Sequence, residues 1–283
     1  MRLRRVISDR LWVGFTFAAV AIAIVPLVSI LADVAYQGIA AMNVDFFTML
    51  PPPPCPPNSV CTPGGLGDAI QGTVILVALS SAIGIPIGII SGIYVSEYGK
   101  NRYGSSVRFL GDVLAGIPSI VTGVLVYLLV VVPLRGYSVT AGSIALGSMM
   151  IPIVSNTSAE ALKSVPNSIR EASHALGIRK WRTSLLVAAH AKRAIATASL
   201  LAVARITGET APLLLTAATS QLWFSGFGEP IASLTFYIYF YGTSAYGNWK
   251  ALAWGAALIL IVIVLGINVG VRIITRGKGA YSS

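Results

Sequence analysis

Residues 69–95 read AIQGTVILVALSSAIGIPIGIISGIYV, without a single Asp, Glu, Lys or Arg. A helix rises about 1.5 Å per residue, so about 20 apolar residues cross the roughly 30 Å hydrocarbon core of a bilayer with every peptide group bonded internally. Five further predominantly apolar stretches run over 11–35, 107–132, 139–160, 195–217 and 251–274. The sequence therefore predicts an all-α polytopic membrane protein with six transmembrane helices. Composition agrees: 55% of the 283 residues are apolar and 11% are charged, against about 25% charged in soluble domains. Mean hydropathy is +0.79. These values exclude a soluble enzyme and a disordered chain.

The net charge of +10 would suggest nucleic acid in a soluble protein, but the positions of the cations explain it as topology, with no nucleic-acid partner. Arg2, Arg4, Arg5 and Arg10 precede the first span, and none follows it before the second. Lys100, Arg102 and Arg108 gather between the second and third spans, whereas Arg135 alone follows the third. Seven cations fall between 160 and 194, and Arg272, Arg276 and Lys278 close the chain. By the positive-inside rule both termini and the loops 96–107 and 160–194 face the cytoplasm. The first apolar run is too long for a cleaved leader and reads as a retained anchor. The expected plan is a tail at 1–10, the first span at 11–35, an outer loop at 36–68, a core of five spans at 69–274 with its large inner loop at 160–194, and a tail at 275–283. A lipid bilayer, as the plasma membrane of a prokaryote, is the expected location.

The outer loop holds Pro51–Pro54, Pro56, Pro57 and the two cysteines, Cys55 and Cys61. Outside the cytoplasm these thiols can oxidise to a disulfide. Two unpaired thiols in a stiff polyproline-like segment remain the alternative. The last outer loop is aromatic, from Trp223 to Phe227 and again from Phe236 to Tyr246. Such rings settle at the water–lipid boundary, or present a docking surface.

In the large inner loop, Asn167–Ala175 has an amphipathic helical pattern. Ser168 with Glu171 three residues later suits a helix start, and Gly177 suits the left-handed turn that ends one. With Arg179, Lys180 and Arg182 beside it, this helix could lie on anionic lipid. Glu171, Ala172, Ser173 and, four residues on, Gly177 also resemble the EAA loop of ABC importer permeases, in which the coupling helix seats in a cleft of the cytoplasmic ATPase. Ser173 replaces the second alanine of that motif, and Val187–His190 stands where the motif continues Ile-x-Leu-Pro.

Residues 204–217, ARITGETAPLLLTA, place Arg205 and Glu209 four apart within a span. On a continuous helix they share a face and can pair. A central arginine costs about 2.5 to 3.5 kcal/mol on insertion scales, so either a structural pair offsets it or an anion route uses it. For an anion, Arg205 offers a planar donor set matching phosphate oxygens, Glu209 would hold it in the anion's absence, and Thr207 and Thr210 add hydroxyls. Prolines 86, 118, 152 and 212 interrupt spans. Asp112 reads as a span-boundary residue, and His174 and His190 as surface residues. There is no Gly-x4-Gly-Lys-Ser/Thr phosphate cradle and no His-Glu-x-x-His pair, so neither ATP chemistry nor a metal is expected in this chain, and no residue is catalytic.

The stretch 204–217 resembles the signature of the PstA-type permease family of phosphate-specific ABC importers. GGLGDAIQGT at 64–73, IYVSEY at 93–98, DVLAGIPSIVTG at 112–123 and VPNS-x-REA from Val165 support it, and the resemblance covers roughly 60–275. It implies the type I ABC importer (MetI-like) permease fold and half of a phosphate pore, with Arg205, Glu209, Thr207 and Thr210 on the substrate pathway. Glu171, Ala172 and Gly177 would couple to the ATPase. The implied partners are a PstC-type permease, a PstB-type ATPase dimer that binds ATP and Mg, and a PstS-type phosphate-binding protein. Where relatives carry an arginine after the Pro-Ile of the fourth span, this chain has Asn156. Other readings are a permease for sulfate, molybdate or phosphonate, an ion-coupled secondary transporter working alone, and a scaffold that would leave Arg205 unexplained.

Overall fold

The computed structural model describes residues 2–56, 59–99 and 101–276. Pro57 and Asn58 of the proline loop and the tail from 277 on lie outside the described residues. All regular structure within them is helical. The first helix, α1 (Arg2–Ala41), is apolar and exposed over 11–32, and it packs on the last helix, α12 (Gly247–Arg276). Then come the short α2 (Val44–Thr48), capped by Asn43, and the long α3 (Gly67–Tyr98). The fourth expected span is α7 (Val139–Lys163).

The helices α3 and α7 form the centre of the molecule, because small residues let their backbones meet. A methyl group placed on Gly84 would stand 2.7 Å from Cβ of Met150, and one on Gly88 would stand 2.7 Å from Cβ of Val154. A third contact, Gly92 against Ser158, continues the seam toward the ends of both helices. Ser155 donates across it to Ser91 at 3.1 Å. Leu76, Leu146, Met150, Val154, Ala202 and Ile206 close the adjoining core.

The third expected span, 107–132, is not one helix. The chain forms α4 (Arg102–Gly116) and α5 (Ser119–Val126), continued by a π-helical turn (Tyr127–Val131) and α6 (Val132–Leu134), and the two arms meet at 104° across Ile117–Pro118. Proline disfavours helical geometry in the residue before it, and Ile117 is extended (φ −72°, ψ 128°). Pro86 and Pro152, by contrast, sit inside continuous helices. Counting the bent pair as one gives six candidate spans.

The inner loop is helical for most of its length. After α7 come α8 (Asn167–Ala175) and α9 (Lys180–Thr207), so the fifth span begins well before the expected Ile195 and stops before the expected Ala217. A short α10 (Ala211–Thr216) follows the stop and packs against α5.

Part of the aromatic run is core. In α11 (Leu234–Gly242), Tyr237 and Tyr241 are 1% and 0% exposed, stacked on one another and packed with Phe46, Leu66 and Trp249. The rings of Tyr239 and Phe240 in that helix face outward. The Tyr237 hydroxyl donates to Oδ2 of Asp68 at 2.7 Å, which ties α11 to the start of α3. Cys55 and Cys61 form a disulfide in the outer loop. That loop is fastened to α12 by Trp249 donating to the Pro52 carbonyl at 3.0 Å and by Asn248 donating to the Pro53 carbonyl at 3.0 Å.

Candidate functional site

Arg205 and Glu209 do not share a helix face, because the helix ends between them. Gly208 (φ −93°, ψ 0°) terminates α9, and Gly208 and Glu209 turn back through single bonds to the carbonyls of Arg205 and Ile206. Pro212 then opens α10, where its missing amide costs nothing. The expected ion pair is therefore absent: neither side chain forms a salt bridge or hydrogen bond among the described residues. Arg205 is exposed on the last turn of α9, and Glu209 is half-buried. The non-helical link between them is fixed by Thr235, which donates to the Glu209 carbonyl at 3.1 Å.

The two threonines separate. Thr207 is 4% exposed and its hydroxyl donates to the Val203 carbonyl at 2.7 Å, so it is turned inward and engaged. Thr210 is half-buried, precedes α10, and spends its hydroxyl on no partner among the described residues. The arrangement at the end of α9 is a permanent cation, a carboxylate and a free hydroxyl around a break in a spanning helix. In bilayers such breaks are tolerated where they are covered by protein or line a cavity.

Asn156 lies on α7, where its amide donates to Asp112 on α4 at 3.3 Å. Asp112 is thus inside the bent arm and partnered across helices, not a simple boundary residue.

At the other end of the chain's core, α8 matches its expected extent but not its expected start. Pro166 is the N-cap and no side chain caps the helix, so Ser168 and Glu171 form no capping box. The C-terminal end is as the glycine implies. Gly177 has φ +68°, its amide donates to the His174 carbonyl at 2.9 Å, and the Ile178 amide donates to Ser173 at 3.0 Å. This pair of bonds is the Schellman arrangement, which requires the left-handed residue. Glu171, Ala172, Ala175 and Leu176 are exposed, whereas Ser173 is 5% exposed and bonds the Ile169 carbonyl at 2.9 Å. The serine that departs from the EAA pattern therefore faces inward and is satisfied by its own helix.

Sequence reasoning gave Arg170 no role, yet it carries α8. Its guanidinium donates to Glu97 at the end of α3 at 2.8 Å, to the Val165 carbonyl at 2.9 Å and to the Leu162 carbonyl at 2.9 Å. The pair is well covered, with 19% and 7% side-chain exposure. The signal was present as two separate fragments, Glu97 in IYVSEY and Arg170 before Glu171, but nothing along the chain joins them.

The family described as "Binding-protein-dependent transport system inner membrane component" matches residues 84–279. The phosphate transport system permease protein PstA of Haemophilus influenzae is 39% identical over 272 residues, covering 95% of this chain and 94% of its own length. The Yersinia pestis protein of the same name is 41% identical, covering 89% of this chain and 84% of its own length. Among solved structures, an inward-facing MetNI methionine ABC transporter chain superposes with a TM-score of 0.61 over 74% of this chain and 97% of that chain. At 18% identity it speaks to fold alone. A helical membrane fold of the MetI-like kind, the left-handed exit from α8 and the near full-length matches converge, and the chain belongs to the family of binding-protein-dependent transport system inner membrane components, among its PstA permeases.

Proposed function

We propose that this chain is the permease subunit of an ATP-driven importer of inorganic phosphate and forms half of the translocation pathway. The observation that carries the reading is Arg205: an exposed guanidinium at the end of a spanning helix, without a counter-ion among the described residues. A charge so placed in a membrane requires cover by something outside the chain. A second permease packed on this face supplies the cover, and a passing phosphate supplies the counter-charge through charge-assisted hydrogen bonds. Glu209 and Thr210 at the same break complete the station, the carboxylate limiting how tightly an anion is held. Thr207, engaged with Val203, is set aside.

The second permease is of PstC type, the ATPase a PstB-type dimer that binds ATP and Mg, and the donor a PstS-type phosphate-binding protein. The exposed Glu171, Ala172 and Leu176 face of α8 docks on the ATPase, with both termini and α8 on the cytoplasmic side of a prokaryotic plasma membrane. ATPase closure moves α8, and the Arg170 clamp passes that displacement to α3 and α7. The test is uptake by the four-component complex in proteoliposomes. ATP-dependent phosphate accumulation that excess sulfate fails to inhibit is expected. Phosphate uptake by the chain alone, without an ATPase, overturns the reading.

A further inference from the structure

Where α3, α7, α8 and α9 converge, a polar pocket of about 350 Å³ opens beside the Arg170 clamp. Its wall is made by Lys163 from the end of α7, His174 from the last turn of α8 and Lys180 from the first position of α9. The one carboxylate lining it, Glu97, is taken by Arg170 at 2.8 Å. Lys163 and Lys180 therefore face the pocket without an ion pair among the described residues. Lys180 is held in place instead by the Tyr98 ring, 4.4 Å from the ring centroid.

Two further features have the same sign. Ser96 lines the pocket with a buried hydroxyl that has no hydrogen-bond partner. Asn167 and Lys180, both lining residues, are the first residues of α8 and α9, and no side chain caps either helix. Unsatisfied amides at a helix start favour an anion. Two ammonium groups without an ion pair among the described residues, a histidine, an orphan hydroxyl and two uncapped helix starts thus converge on one small space. Tyr94 stacks on Tyr98, an aromatic pair of the kind expected at the level of lipid headgroups.

We propose that this pocket binds a phosphate-type oxyanion, either the phosphodiester of an anionic lipid headgroup or free inorganic phosphate, separate from the station at Arg205. An oxyanion bridging Lys163, His174 and Lys180 pins α8 against the ends of α7 and α9 and so sets how freely the coupling helix moves. This inference does not require the transport reading, since it concerns binding by the chain itself.

The test uses the full-length chain in detergent, titrated separately with short-chain phosphatidylglycerol and with inorganic phosphate, with zwitterionic phosphatidylcholine as the control. Bound probe is read by native mass spectrometry for lipid and equilibrium dialysis for phosphate. Each basic residue near an anionic lipid surface contributes about 1 kcal/mol, so K163Q/K180Q is expected to bind about 30-fold more weakly, while K163R/K180R keeps binding. Lipid binding alone identifies a headgroup, and phosphate binding that competes with lipid identifies the free ion; both support the site. Equal binding by the parent and K163Q/K180Q overturns it, as does an equal loss in K163R/K180R. Titration of R205A separates the two stations: a loss confined to R205A assigns the anion there and overturns this pocket.

Discussion

Arg170 donates to Glu97 at 2.8 Å across 73 residues of sequence and fastens the first turn of α8 to the last turn of α3. The same guanidinium ties down the Leu162 and Val165 carbonyls where α7 ends, so one side chain gathers three helix ends. Motion delivered to α8 therefore reaches the bundle through a rigid, largely water-excluded joint.

Removing Arg170 leaves the Glu97 carboxylate without its partner and takes a donor from the Leu162 and Val165 carbonyls. Arg170→Ala is expected to destabilise the chain by about 2 to 3 kcal/mol, and Glu97→Gln by less. A double-mutant cycle by denaturant unfolding in detergent measures the coupling. In the reconstituted complex, Arg170→Ala is expected to hydrolyse ATP while phosphate uptake falls.

Gly177 meets no neighbour that a methyl would strike, so its requirement is conformational alone. Gly177→Ala is expected to cost about 1 kcal/mol at φ +68°, and Gly177→Asn less, because asparagine tolerates the left-handed region. The ratio of ATP hydrolysed to phosphate transported is expected to rise in the order Gly, Asn, Ala, measured on vesicles of equal protein content.

With no ion pair between Arg205 and Glu209, the two substitutions should act independently on stability. A cycle of Arg205→Ala and Glu209→Gln is expected to show a coupling below about 0.5 kcal/mol by thermal unfolding. Uptake responds differently: Arg205→Ala abolishes it with the complex still assembled on a sizing column, and Arg205→Lys keeps a fraction, because a point charge replaces the bidentate fork.

Among the described residues Tyr237 provides the one side-chain hydrogen bond to the Asp68 carboxyl, at 2.7 Å. Tyr237→Phe removes it at constant ring packing and is expected to destabilise the chain by about 2 kcal/mol. Tyr241→Phe, whose hydroxyl receives a long 3.5 Å bond from Gln221, is expected to cost less. Thermal unfolding of the two variants side by side measures the difference.

The limits of sequence reading are clearest in a repeated tripeptide. Gly-Ile-Pro occurs at 84–86 and again at 116–118. The first lies in the uninterrupted α3, and the second breaks the chain by 104°. Around Gly84 the side chain of Met150 approaches from α7, whereas a methyl placed on Gly116 would meet nothing among the described residues within 4 Å. Packing, not local sequence, holds one helix straight across its proline and leaves the other free to turn. Apolar length was enough to count the spans but not to show the bend in the third or the stop in the fifth, and glycine was enough for the exit from α8.

The candidate site was legible in composition but not in geometry. Arg205 stands out in any hydropathy scan, yet its spacing from Glu209 suggested a pair that the stop at Gly208 prevents. The glycine and Pro212 were signals of that stop, outweighed in the reading by the apolar residues around them. The buried part of the aromatic run was illegible for a similar reason: amphipathic rings suit a boundary, but α11 also folds back onto α12 and α3, and Asp68 gives Tyr237 a partner in the interior.

The seam of Gly84, Gly88 and Gly92 against α7 has no slack along its length. Even a methyl at Gly84, Gly88 or Gly92 would strike the neighbouring rod, and contact this close makes the two a single beam. Gating is thereby displaced to the joints at either end of that beam, and a bulky residue introduced anywhere along it would jam assembly long before it altered the gate.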